Sequence, residues 1–174
     1  VLLIEPDPRA AVMFGEMLRA SWSEGLLVVH AERLSDAAHE LREHPPTCAL
    51  LDLGEPDADQ LAQLEQIRTA AANAPVIVLC ERDDEGLALA AVRAGAQDFL
   101  LKPQLHPALL RRAVKYAVER KRSEVQLVHQ ALHDSVTGLP NRALFLDRLG
   151  VALDRARRSH ASIAVFFLDV DNFK

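Results

Sequence analysis

Short, wholly apolar runs alternate with longer amphipathic ones through the first hundred residues. The apolar runs are VLLI at 1–4, LLVV at 26–29, CALL at 48–51, PVIVLC at 75–80 and DFLL at 98–101. Runs with no polar face suit strands of a parallel sheet covered by helices on both sides, where neither face meets water. Between them, residues 8–21, 33–44, 58–72 and 84–94 repeat apolar positions at threes and fours, which predicts helices. The expected architecture is α/β, a doubly wound five-stranded parallel sheet whose ligands bind at the carboxyl ends of the strands.

Pro103 stops the fifth strand, and after Pro107 a helical pattern runs without Gly or Pro to about Leu132. Val114, Val118, Lys121, Val125, Val128 and Leu132 fall on alternating spacings of three and four, a heptad seam carrying one lysine. Two readings stand: a helix that packs on the sheet and then merely connects, or the stalk of a parallel dimer. The turn-forming stretch 134–142 follows, then an expected helix from about Ala143 to Ser159 and an expected strand over SIAVFFLDV, the start of a second α/β domain.

Charge separates the two parts. Residues 1–104 hold 8 basic and 18 acidic side chains, a balance of −10, whereas residues 105–174 hold 12 and 7, a balance of +5. An acidic first module argues against a phosphate backbone as its ligand, so no DNA is expected as a partner. No apolar run reaches the roughly 20 residues that span a bilayer, and no membrane partner is expected. Neither end carries a leader or closing turn, so both are expected to be cut. Cys48 and Cys80 each lie in an apolar stretch, which suits reduced thiols in a cytoplasmic protein better than a disulfide framework.

The expected strand ends carry Glu5 and Asp7, then Asp52, Cys80 and Lys102, all on one rim. Two carboxylates about 5 Å apart repel by roughly 3 kcal/mol at an effective dielectric near 20. Oxygen donors with no histidine among them favour magnesium over zinc to relieve that repulsion, and a metal beside a lysine suits a phosphoryl group. The first βα turn, Glu5-Pro6-Asp7-Pro8, has no glycine, and G-x-x-x-x-G-K-[ST] and G-x-S-x-G are both absent. Asp52 remains as a nucleophile able to take a phosphoryl group as an acyl phosphate.

VLLIEPDP, LLDLGEPDAD, PVIVLCERDDEG and AVRAGAQDFLLKP, in that order, resemble the receiver domain of two-component response regulators. The resemblance implies a receiver over 1–118 with flavodoxin-like strand order 2-1-3-4-5. It also implies Asp52 as phosphoacceptor, Lys102 and Cys80 at the phosphoryl group, and Phe99 as a switch residue. Glu5, Asp7, Asp52 and the Gly54 carbonyl would form the magnesium shell, and Lys102-Pro103 would be a cis bond. Two positions depart from the family: Pro6 replaces the second of two adjacent acids, and Cys80 stands where a Thr or Ser is usual. A thiol is a weak donor, and a small buried hydrophobe is the competing role for Cys80.

HDSVTGLPNR at 133–142 and LDVDNFK at 168–174 resemble the opening of a GGDEF domain, the catalytic domain of diguanylate cyclases, which make cyclic di-GMP from two GTP molecules. The resemblance implies a linker helix over 119–133 and an N-terminal GGDEF fragment over 134–174. Within it, Asp169 and the Val170 carbonyl would hold magnesium, and the amides of Asn172, Phe173 and Lys174 would face GTP phosphates. Asp134, Thr137, Gly138, Asn141 and Arg142 form the opening motif, read as structural. The signature loop would lie beyond Lys174, so this fragment is expected to be inactive by itself. The function implied is a phosphorelay receiver controlling a GGDEF output. Its partners would be a sensor histidine kinase or phosphotransfer protein, a second copy through receiver and helix, and GTP. The alternative is a receiver that no longer takes phosphate and serves as a dimerisation or scaffold module with a degenerate output. A flavodoxin-like small-molecule binder is a third reading, but it leaves Asp52 and Lys102 without a task.

Overall fold

The computed structural model describes residues 1–22, 25–53, 58–71 and 74–169. The chain divides into two compact units, Val1–Val125 and Gln126–Lys174. In the first, β1 (Leu2–Ile4), β2 (Val29–Ala31), β3 (Ala49–Asp52), β4 (Val76–Cys80) and β5 (Asp98–Leu101) form one sheet in the order β2-β1-β3-β4-β5. Every neighbouring pair is parallel. The strand alternation sorts side chains onto two faces. Leu2, Ile4, Leu51, Val76 and Val78 pack with Leu41, Leu64 and Ile67 on one side, and Leu3, Leu50, Ile77 and Leu79 pack with Phe14, Leu18, Leu110 and Val114 on the other. Both faces are dry, which is why the strands read as unbroken apolar runs.

The helices of this unit are α1 (Pro8–Ser21), α2 (Leu34–Glu43), α3 (Ala58–Ala71), α4 (Glu85–Arg93) and the part of α5 (Pro107–Leu132) up to Val125. Asp7 caps α1, accepting a hydrogen bond from the Arg9 amide at 2.9 Å, with Pro8 in the first turn where its missing N–H costs nothing. Asp84 caps α4 through the Leu87 amide at 3.0 Å. Gly95 follows the α4 C-cap at φ +99°, a left-handed backbone that glycine adopts without the strain any other side chain would bring.

Three expectations differ from the structure. The second strand lies at Val29–Ala31, not 26–29. Leu26 and Val28 pack on the core below the sheet and Leu27 is exposed, so the ladder to β1 begins only at Val29, and the edge position tolerates His30. The expected strand over SIAVFFLDV is not formed among the described residues: 161–169 pair with nothing in a ladder, and Phe166, Phe167 and Leu168 are exposed. A strand without neighbours leaves its backbone unpaired and buries too little apolar surface to hold its place. Finally, Lys102-Pro103 is trans, as no cis bond occurs among the described residues. The pair opens a short 3-10 turn, Lys102–Gln104, that carries the chain towards α5.

The heptad seam divides along its length. Val114 is buried and Val118 half-buried against the sheet core, whereas Val125 and Val128 are exposed. The first half of α5 therefore packs on the sheet. In the second unit, α6 (Arg142–Ser159) follows the turn at 134–140 and closes on His160 in the left-handed region at φ 52°. No helix among the described residues is long and apolar enough to cross a membrane.

Candidate functional site

Lys102 is the centre of the first unit's site. β5 and the following turn bring its ammonium to the carboxyl ends of β1 and β3. Nζ lies 2.9 Å from Glu5 Oε2, 2.8 Å from Asp52 Oδ2 and 3.2 Å from Glu81 Oε1. The side chains of Glu5, Asp52 and Lys102 are 1%, 7% and 9% exposed, whereas Glu81 is 58% exposed. Three carboxylates and one ammonium thus meet at this rim, all nearly buried except Glu81. The Phe14 ring centroid lies 5.8 Å from Nζ, within range of a cation–π attraction.

Burial acts against the charged ammonium, but the hydrogen bonds and charges of Asp52 and Glu5 outweigh it and hold Lys102 above the usual lysine value. Burial likewise lifts the Glu5 carboxyl above its usual range, against the pull of Lys102 and of the Asp7 amide, which donates to Glu5 Oε1 at 3.1 Å. His30 Nε2 lies 2.9 Å from the Glu5 carbonyl oxygen and ties the edge strand to the turn that carries the acid.

Of the expected site residues, Glu5, Asp52 and Lys102 come together. Asp7 is exposed, with one carboxylate oxygen committed to the α1 cap. Cys80 ends β4 with its side chain buried, paired in the ladder with Leu101. Phe99 is half-buried against the core on the α2 and α3 side. Gly54 lies outside the described residues. Glu81, Phe14 and His30 were missed by sequence reasoning. An acid directly after an expected strand end is the one signal that points to Glu81, and a helix-face Phe or an edge His gives none.

Glu5 and Asp52 fit a magnesium ion by type. Both accept contacts from one Nζ, so the facing oxygens are no more than about 5.7 Å apart, and a hard cation is commonly held by one or two carboxylates with water. Pro6 contributes no side-chain donor.

In the second unit the opening motif is a closed hydrogen-bonded turn. Asp134 Oδ1 accepts from the Thr137 amide at 2.9 Å, the Thr137 hydroxyl at 2.8 Å and the Val136 amide at 3.2 Å. The Thr137 amide first, then its hydroxyl and the Val136 amide, hold the Asp134 carboxyl below its usual range. Gly138, at φ +70°, returns its amide to the Asp134 carbonyl at 2.9 Å. Asn141 donates Nδ2 to the Ala131 carbonyl at 2.8 Å and caps α6 by accepting from the Ala143 and Leu144 amides. Arg142 begins α6. Asp169 is exposed, and Val170, Asn172, Phe173 and Lys174 lie outside the described residues.

The family model described as "Response regulator receiver domain" matches residues 1–115. The chain belongs to the response regulator receiver family. The receiver is followed by the start of a GGDEF domain, since the model "Diguanylate cyclase, GGDEF domain" matches residues 131–174. The chain is 34% identical over 124 residues to "Uncharacterized transcriptional regulatory protein YvcP" of Bacillus subtilis, covering 71% of this chain and 50% of that protein. It is 43% identical over 67 residues to "Diguanylate cyclase TpbB" of Pseudomonas aeruginosa, covering 38% of this chain and 15% of the relative. The chain thus spans half or less of the length of these two relatives. The crystal structure of a CheY-like response regulator receiver domain protein from Methanospirillum hungatei JF-1 shares the fold at TM-score 0.60 and 20% identity, covering 71% of this chain and 95% of that one.

Proposed function

We propose that this chain is the input half of a phosphorelay switch, in which Asp52 accepts a phosphoryl group and α5 passes the receiver's state to a GGDEF output. The observation that carries this reading is the 2.8 Å contact between Asp52 Oδ2 and Lys102 Nζ at the rim where β3 and β5 end. An Asp52 carboxylate oxygen attacks the phosphorus of a phosphohistidine on a sensor kinase or phosphotransfer protein. The new P–O bond forms as the P–N bond breaks, and the electron pair leaves with the imidazole. Lys102, freed from one carboxylate as that oxygen becomes the bridging oxygen of an acyl phosphate, donates to a phosphoryl oxygen in a charge-assisted bond. Glu81 gives up its place on Nζ to that oxygen. Glu5 and Asp52 would hold the magnesium ion, with the Gly54 carbonyl, and the ion supplies positive charge to the phosphoryl oxygens.

Cys80, which ends β4, and Phe99, within β5, are the residues that read the new charge, Cys80 through a weak thiol donor. The exposed half of the α5 seam supports a homodimer through receiver and helix. It would bring two output domains, each with one GTP, face to face for cyclic di-GMP synthesis in the cytoplasm. In that output, Asp169 and the Val170 carbonyl hold magnesium, Asn172, Phe173 and Lys174 meet phosphates, and the opening motif at 134–142 is structural.

A second reading, a receiver that works without phosphate as a scaffold, is favoured by Pro6 and by the three carboxylates already neutralising Lys102. Fluorine NMR with beryllofluoride and magnesium separates the two. Bound-fluoride resonances in the parent chain that vanish in Asp52→Asn support phosphoryl acceptance. No bound resonance in the parent, with a working receiver positive in parallel, supports the scaffold.

A further inference from the structure

α5 leaves the receiver at a hydrogen-bonded contact that the phosphoryl site does not use. Gln97 immediately precedes β5, and its backbone amide donates to the Val76 carbonyl at 2.8 Å. Its side-chain Nε2 donates to both carboxylate oxygens of Glu124, on α5, at 3.3 and 3.2 Å. A carboxylate only accepts, so the amide must present its nitrogen there, and Gln97 Oε1 is left buried with no donor among the described residues. Along α5, Ala117 is the last buried residue, Val118, Lys121 and Glu124 continue the same face half-buried, and residues 125–131 are exposed. The compact first unit ends at Val125, one residue after the contact.

We infer that Gln97 and Glu124 form a clasp that sets the residue at which α5 leaves the receiver, and so how much of the stalk is free. Closed, the clasp gives two hydrogen bonds to a carboxylate, which are stronger than bonds between neutral groups. The same closure strands Gln97 Oε1 away from water, and that penalty offsets part of the gain. Opening leaves Glu124 a partner, because Arg120 Nε, one turn back on α5, already lies 3.5 Å from its Oε1. The clasp is therefore poised between two arrangements rather than locked. Opening it frees α5 beyond Val118, about 9 Å of helix over residues 119–124 at a rise of about 1.5 Å per residue. Lys121 is then released from half-burial into the seam that it shares with Val125 and Val128. β5 joins the clasp to the phosphoryl site, since Gln97 precedes the strand and Lys102 follows it. That the clasp regulates the output rests on α5 as the path to the GGDEF domain, whereas the clasp itself does not.

Hydrogen–deuterium exchange of the 174-residue chain tests the clasp. No phosphoryl donor is added, so a chain unable to take phosphate gives the same readout. Gln97→Ala should speed exchange of the α5 amides at 121–128 about fivefold, the order of one net hydrogen bond, and leave those at 110–117 within about twofold. Gln97→Glu, which sets carboxylate against carboxylate, should speed exchange at 121–128 at least as much. Adding Glu124→Gln to Gln97→Glu exchanges donor and acceptor, and should return exchange to within about twofold of the parent, the spread of a neutral surface substitution. Unchanged exchange at 121–128 in Gln97→Ala, or a reciprocal pair that exchanges as fast as Gln97→Glu alone, overturns the clasp. An equal rise at 110–117 overturns it too, because the whole helix has then loosened rather than its middle alone.

Discussion

Replacing Lys102 by methionine, which keeps the length and removes the charge, should cost the first unit about 3–5 kcal/mol, the range for breaking a buried ion pair by removing one partner. Two attractions to nearly buried carboxylates are lost, each about 4 kcal/mol at about 4 Å and an effective dielectric near 20, while the Glu5–Asp52 repulsion of about 3 kcal/mol is left uncompensated. The avoided desolvation of the ammonium returns part of this, and the exposed Glu81 contact adds little. Urea unfolding at pH 7 reads the effect. With a slope near 1.5 kcal/mol per molar, the midpoint should fall by about 2–3 M. The sign of the pH dependence is fixed by Glu5, whose carboxyl is raised in the folded state by burial. Without Lys102 it rises further, so the penalty is absent below the unfolded carboxyl value and grows as pH rises through the folded one. Adding Asp52→Asn to Lys102→Met removes the repulsion and should restore at least about 1 kcal/mol. A Lys102→Met midpoint within about 0.5 kcal/mol of the parent at pH 7, or a double variant no more stable than the single, would refute this electrostatic picture.

Glu81→Gln should raise the rate of Asp52 labelling by acetyl phosphate up to about fivefold, since a half-exposed competitor for Lys102 is worth at most about 1 kcal/mol; an unchanged rate would free Glu81 of any role there. Phe14→Ala, which empties a fully buried position beneath Lys102, should cost about 3–5 kcal/mol in the same urea assay. Asn141→Ala should cost the second unit about 1 kcal/mol or more, because the residue both caps α6 and holds the Ala131 carbonyl, and amide exchange at Ala143 and Leu144 should quicken. The Asp134 turn should tighten at neutral pH and loosen only under acid. A carboxyl depressed in the folded state contributes above its unfolded value and ceases to as pH falls through the folded one, which an NMR titration of the Asp134 carboxyl carbon and the Thr137 amide follows together.

Much of the receiver was legible because burial on both sheet faces writes itself as unbroken apolar runs, and chemistry at strand ends shows as polar residues that interrupt them. β2 was placed three residues early because Leu26 and Val28 are apolar for the core under the sheet rather than for the ladder, a distinction that composition does not carry. The run over SIAVFFLDV has the pattern of a strand, but a strand exists only with neighbours. At the site, Glu5, Asp52 and Lys102 announced themselves, whereas Glu81 reads as one more solvated acid in an acidic stretch until the fold turns it onto Lys102. Asp7 shows a second demand on a strand-end acid, one that the sequence pattern does not separate from metal binding: its Oδ1 accepts from the Arg9 amide at the start of α1.

Intact mass spectrometry after incubation with acetyl phosphate and magnesium, on the parent chain beside Asp52→Asn, tests the central claim most directly. A single phosphoryl adduct on the parent and none on the variant is the predicted result. An unlabelled parent beside a labelled control receiver, or equal labelling of parent and variant, would contradict it.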